Sequence, residues 1–100
     1  MSSFSLTQSA KADLMSIARF TEKSWGREQR LVYIKQFDET FHLLSKTPVI
    51  GTNCDHIKKG YQKFPQGSHI IFYTMDGRNN ILIVRILHKS MDVLSRFSDS

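Results

Sequence analysis

Residues 59–92 read KGYQKFPQGSHIIFYTMDGRNNILIVRILHKSMD, and the fold turns on how this stretch pairs with itself. Ile70 to Tyr73 is one apolar run and Ile81 to Leu87 is another. Asp76-Gly77 and Asn79-Asn80 lie between them and supply turn chemistry. β-branched and aromatic runs of this length, bounded by Gly, Pro and Asn, fit buried or half-buried strands. A first strand is expected from Ile57 through Tyr61 to Phe64, turned by Pro65-Gln66-Gly67. The rest of the chain then has to cover one face of this three-stranded sheet.

Working toward the N-terminus, Pro48 in Thr47-Pro48 stops a helix, because its ring disfavours helical geometry in the preceding residue. That helix runs from about Arg27 to Leu44, with Leu31, Ile34, Phe37, Phe41 and Leu44 on one stripe. Before it, Ala10, Leu14, Ile17, Thr21 and Trp25 recur at helical spacing, so a first helix spans about Gln8 to Ser24. Asp13 falls off that stripe, and Thr7 is placed to cap the helix. Gly26 separates the two helices, which implies a hairpin closed at its corner by Trp25. Ser3 to Leu6 alternates and reads as a short strand, while Val49 to Asp55 reads as a loop. Beyond Leu87 the chain is expected to form a short helix or an extended tail. The order is strand, helix, helix, strand, strand, strand. It implies an α+β domain over residues 1–100, a helical hairpin packed on a small, mostly antiparallel sheet.

The balance of 14 Lys+Arg against 9 Asp+Glu gives a net charge of +5 and a pI near 9.6. The sharpest concentration is His56 to Phe64, HIKKGYQKF, which suits an anionic partner as well as a solvated surface. No apolar run approaches the roughly 20 residues that span a bilayer, and MSSFSLTQSAK lacks the basic and apolar regions of a signal peptide. The single cysteine, Cys54, forms no internal disulfide, which fits a reducing cytoplasm. His42, His56, His69 and His88 are scattered, so no metal site is expected. Glycine-rich phosphate loops are absent, and no cofactor is expected. The set with most chemical reach is Lys58, Lys59, Lys63, Arg85 and His88. A metal-independent ribonuclease needs a base, an acid and cations for the phosphate, and these residue types supply all three if they converge. The other reading makes Arg85 part of a structural ion pair.

Across nearly the whole chain, the sequence resembles the ParE toxins of the RelE/ParE superfamily, the toxic halves of bacterial type II toxin–antitoxin systems. The match runs through Leu6-Thr7, Ala12-Asp13-Leu14, Trp25-Gly26, Leu44, Pro48 and Gly51. More specific are Lys59-Gly60-Tyr61 with Phe64 and Gly67, and His69-Ile70-Ile71-Phe72-Tyr73. The signature is Ile83-Val84-Arg85-Ile86-Leu87-His88 followed by Met91-Asp92. Position 62 is Gln where many relatives carry Arg.

The resemblance implies the RelE/ParE two-layer fold. It also implies a cytoplasmic bacterial toxin, serving plasmid or chromosomal maintenance, that inhibits DNA gyrase by binding and so blocks replication. It implies a ParD-like antitoxin lying along the hairpin and the sheet, on Leu14, Trp25, Tyr61, Lys63 and Phe64. Gyrase would meet His88, Met91, Arg96 and Phe97. DNA enters only through gyrase or the antitoxin complex, and no membrane is involved. The sister branch, which cleaves mRNA on the ribosome, supplies the alternative; Lys63, Arg85 and His88 would then be catalytic. A third reading is a degenerate toxin that serves only as an antitoxin-binding corepressor.

Overall fold

The computed structural model describes residues 3–78 and 80–97. Strand β1 (Ser3–Leu6) leads into helix α1 (Gln8–Trp25), and helix α2 (Arg27–Lys46) returns antiparallel to it. A 3-10 turn (Pro48–Ile50) and strand β2 (Thr52–Asn53) follow. Strands β3 (Gln62–Gln66), β4 (His69–Met75) and β5 (Asn80–His88) come next, and helix α3 (Val93–Phe97) is the last described element. The five strands form one sheet in the order β1-β5-β4-β3-β2, with β1 parallel to β5 and every other pair antiparallel. This is the α+β arrangement expected from the element order.

Local chemistry accounts for the helix ends. Thr7 takes extended backbone, and its hydroxyl accepts from the Ala10 amide, so α1 begins with one of its unpaired donors satisfied. Gly26 has φ +95°, a conformation that favours glycine, and its amide donates to Glu22 O. The hairpin corner is tied by Glu22 and Arg30, 2.9 Å apart, rather than by the expected Trp25. Trp25 is 74% exposed.

Three further expectations change. The first strand of the decisive stretch begins at Gln62, not Ile57. Residues 54–61 instead fold into successive turns: the Ile57 and Lys58 amides donate to Cys54 O, and the Tyr61 amide donates to Lys58 O. Gly60 has φ +88°, and its amide donates to the Asp55 carboxylate, so this segment spends its hydrogen bonds locally. Pro65 and Gln66 belong to β3, and the turn falls on Gly67 and Ser68. Pro65 is tolerated because β2 is too short to reach it, leaving β3 an edge strand there. The expected loop 49–55 contains the 3-10 turn and β2. Of the Asn79-Asn80 turn, Asn79 lies outside the described residues.

The sheet has two apolar faces rather than one. On the helical side, Ile71, Tyr73, Ile81, Ile83 and Ile86 meet Ala10, Ile17, Phe37, Phe41 and Leu44. On the other side, Phe72, Val84, Leu87 and Cys54 are closed over by Ile57, Tyr61, Val93 and Phe97. The tail option realised is thus a short helix, and it works as a lid on the second core. The hairpin stripes are buried only near the sheet. Phe37, Phe41 and Leu44 are inside, whereas Leu31 is 59% exposed.

Candidate functional site

The side chains singled out for phosphate chemistry do not converge. A bulge in β5 sets Phe72 opposite Arg85 and Tyr73 opposite Ile83, so Val84 is the extra residue. Beyond this point β1 has ended, and β5 loses its parallel neighbour. Helix α1 stands in for it. The Thr7 amide donates to Ile83 O at 3.0 Å, and the Thr7 hydroxyl donates to Val84 O at 2.9 Å. Asp13 then accepts from the Ile86 amide at 2.9 Å. The same carboxylate takes a two-pronged bond from Arg85, at 2.7 Å from Nε and 2.9 Å from the Nη2 nitrogen. The pair is mostly buried, with the side chains 23% and 15% exposed, and the hydrogen bonds to Asp13 raise the Arg85 pKa against the cost of burial. The other guanidinium nitrogen donates to the Arg96 carbonyl at 3.3 Å. Arg85 is therefore committed to structure. Asp13, its partner across the fold, was passed over because it lies off the apolar stripe of α1.

Lys63 sits on β3 opposite Phe72, close enough to Cys54 to act on its thiol. Burial raises the Cys54 pKa, and the Lys63 charge opposes that rise. Lys58 lies over the Tyr61 ring, 5.7 Å from its centre. Among their neighbours, Asp55 is held below the usual carboxylate range, chiefly by the Gly60 amide. These cations border the second core.

His88 belongs to a different place. With His69, Tyr33 and Ser68 it lines a cavity of about 510 Å³ beneath the hairpin tip, walled by Phe20, Thr21, Trp25 and Gln29. The His69 and His88 rings stand edge to face, 5.3 Å apart. His69 Nδ1 is 2.8 Å from the Tyr33 hydroxyl, and burial first, then the charge of His88, lowers its pKa. Gly67 holds φ +60°, and a Cβ there would run into the Tyr33 ring, so this turn is shaped to admit the tyrosine.

The residues expected to meet an antitoxin are distributed over four places. Trp25 walls the cavity under the tip. Leu14 lines a second, smaller groove of about 240 Å³ with Met15, Ala18, Arg30, Leu31 and Ile34. Phe64 packs on the helical core, while Tyr61 packs on the second core against Phe97, their rings 5.8 Å apart. The residues expected to meet gyrase also divide. Phe97 is half-buried against Phe72, at 5.2 Å, whereas Met91 and Arg96 are exposed. Sequence periodicity missed Phe20 and Met15, which are 67% and 61% exposed and flank the stripe of α1. Together with Trp25 and Leu31 they make the hairpin an apolar surface without cover among the described residues. Those residues contain no helix long and apolar enough to cross a membrane.

Comparison with known proteins supplies the wider setting. Residues 4–93 match the family model described as ParE toxin of type II toxin-antitoxin system, parDE. Toxin ParE1 of Mycobacterium tuberculosis is 37% identical over 92 residues, covering 92% of this chain and 94% of the relative. Toxin ParE1 of Caulobacter vibrioides is 34% identical over the same coverage, and Toxin ParE of Escherichia coli is 27% identical over 99% of this chain and 96% of its own length. A solved structure described as a chromosomal ParDE TA system from P. aeruginosa superimposes with a TM-score of 0.73. It covers 88% of this chain and 95% of the other, at 22% identity, and so speaks for the fold.

Proposed function

This chain belongs to the ParE toxin family of type II toxin–antitoxin systems, and from that premise we propose that it poisons DNA gyrase by binding and is neutralised by a ParD-like antitoxin. The observation that carries binding over catalysis is the fate of Arg85. A guanidinium held two-pronged by Asp13 and bonded to the Arg96 carbonyl is anchored in place and is not free to follow a phosphate through a transition state. Lys63 lies two strands from Arg85 in one cross-strand row, with the buried Phe72 between them, and His88 stands in the cavity. The ribonuclease alternative needs these three side chains together.

The proposed landing ground of the antitoxin is the hairpin. Phe20, Trp25, Met15 and Leu31 offer the spaced apolar anchors that an amphipathic helix uses in a groove. The turn carrying Lys58 and Lys59 offers positive charge to an acidic segment. Met91 and Arg96, exposed beside the second core, remain the proposed gyrase contacts.

The decisive experiment is a supercoiling assay with purified gyrase, scored for trapped linear plasmid. Stoichiometric toxin is expected to trap the cleaved complex, and added antitoxin to reverse it. Intact gyrase activity, together with mRNA cleavage on ribosomes that Arg85→Ala abolishes, would reverse the assignment.

A further inference from the structure

We propose that His69 and His88 form a two-histidine site for a first-row transition-metal cation such as Zn2+, opening on the cavity under the hairpin tip. The two residues face each other across β4 and β5. The Lys89 amide donates to Ser68 O at 3.0 Å just outside the pair. That bond makes His69–His88 a pair without hydrogen bonds of its own, the kind whose side chains approach most closely. The ring centres are 5.3 Å apart. Two imidazoles sharing one tetrahedral ion through Nε2, with metal–nitrogen bonds of about 2.1 Å, hold their centres about 5 Å apart.

The outer nitrogens are already engaged. His69 Nδ1 is 2.8 Å from Tyr33 Oη, and His88 Nδ1 is 2.7 Å from Ser90 Oγ. Hydroxyl partners on Nδ1 orient a ligating ring and leave Nε2 for the metal. Neither Nε2 has a hydrogen-bond partner among the described residues, and both rings line the cavity. Ligation requires neutral imidazole. One local interaction opposes the site. The Ser90 amide also points at His88 Nδ1, at 3.1 Å, which favours an unprotonated Nδ1 in the free protein. Metal binding therefore moves the His88 proton from Nε2 to Nδ1, where Ser90 Oγ accepts it. Among the described residues no third His, Cys, Asp or Glu joins the pair, so solvent completes the sphere. Such a site is selective for metals that favour imidazole over oxygen ligands, and it excludes Mg2+ and Ca2+.

This inference is independent of the toxin reading and is tested on the purified chain with ZnCl2 and, separately, MgCl2. Calorimetric titration is expected to give saturable one-to-one binding of Zn2+ and none of Mg2+. Long-range nitrogen–proton NMR spectra are expected to show the His69 and His88 rings shifting while His42 and His56 stay put. His69→Gln and His88→Gln each abolish saturation. Tyr33→Phe, which leaves both ligands in place, weakens binding about tenfold. Absence of saturable Zn2+ binding to the wild type overturns the site even if a variant fails to fold. So does binding that survives in folded His69→Gln and His88→Gln, or that moves the His42 and His56 rings instead.

Discussion

Asp13 shows how one side chain can hold an edge. It accepts the Ile86 amide that no strand reaches and pins Arg85 beside it. Asp13→Ala strands a mostly buried guanidinium and a sheet donor together, and is expected to destabilise the protein by about 3 kcal/mol in urea unfolding. Asp13→Asn, which keeps an acceptor, should cost less than half as much. A loss within experimental error for Asp13→Ala would show that the edge holds without it. His69 gives a second residue-scale expectation. Its folded pKa is lowered by burial and by His88, while Asp13 acts in the opposite sense; Tyr33 is the titratable group bonded to its ring. The unfolded chain thus binds this proton more readily than the folded one. The contribution is fully present above the unfolded value of about 6.5 and is lost as pH falls through the lower folded value. Stability should therefore decline on acidification in that window, and His69→Gln should flatten this part of the profile. An unchanged slope in the variant would assign the decline to other groups. Asp13 and His69 lie in stretches that carry the family resemblance, but their contacts were not legible there, since partners 72 and 36 residues apart leave no periodic trace.

At the scale of elements, the hairpin is half core and half surface. Phe37, Phe41 and Leu44 are buried against the sheet, while Trp25, Phe20 and Leu31 are exposed. The stripes of α1 and α2 were legible from helical spacing. Where the sheet runs out under them was not, because an apolar face looks the same in sequence whether a strand or a partner covers it. Trp25→Ala is accordingly expected to leave stability within about 0.5 kcal/mol. It should nevertheless weaken antitoxin binding by about 2 kcal/mol, a central aromatic anchor having been removed. Isothermal titration paired with thermal unfolding separates the two effects, and a variant that binds normally would remove Trp25 from the interface. The shifted start of β3 has a similar origin. HIKKGYQKF carries strand-forming residues, but Asp55 and Gly60 close a turn around Lys58 and Lys59, and local bonding wins.

The molecule as a whole is flat, 38 × 33 × 21 Å, with a sheet covered by the hairpin on one side and by residues 54–61 and α3 on the other. Hydrogen exchange should follow that layering. Amides of β4 and of the middle of β5, flanked by strands and covered on both faces, are expected to exchange last, and those of the hairpin tip and residues 55–60 first. Added antitoxin should protect the tip and the basic turn. If neither region gains protection on saturation, the proposed landing ground is wrong.

What the sequence determined by itself is the set of elements and their order. Alternating or continuous apolar runs, Thr7, Gly26 and Pro48 act within a few residues, so strand, helix and stop were legible locally. The signature around Arg85 likewise placed the chain in its family. Only the tertiary structure decided what those residues do. Ending β1 at Leu6 left the far half of β5 bare and drew Asp13 onto Arg85. The bulge at Val84 set the register that places His88 across from His69. The physical reason is that hydrogen-bond satisfaction is settled across the whole sheet. A donor's partner is fixed by which strand ends first, and that is a property of the packed molecule.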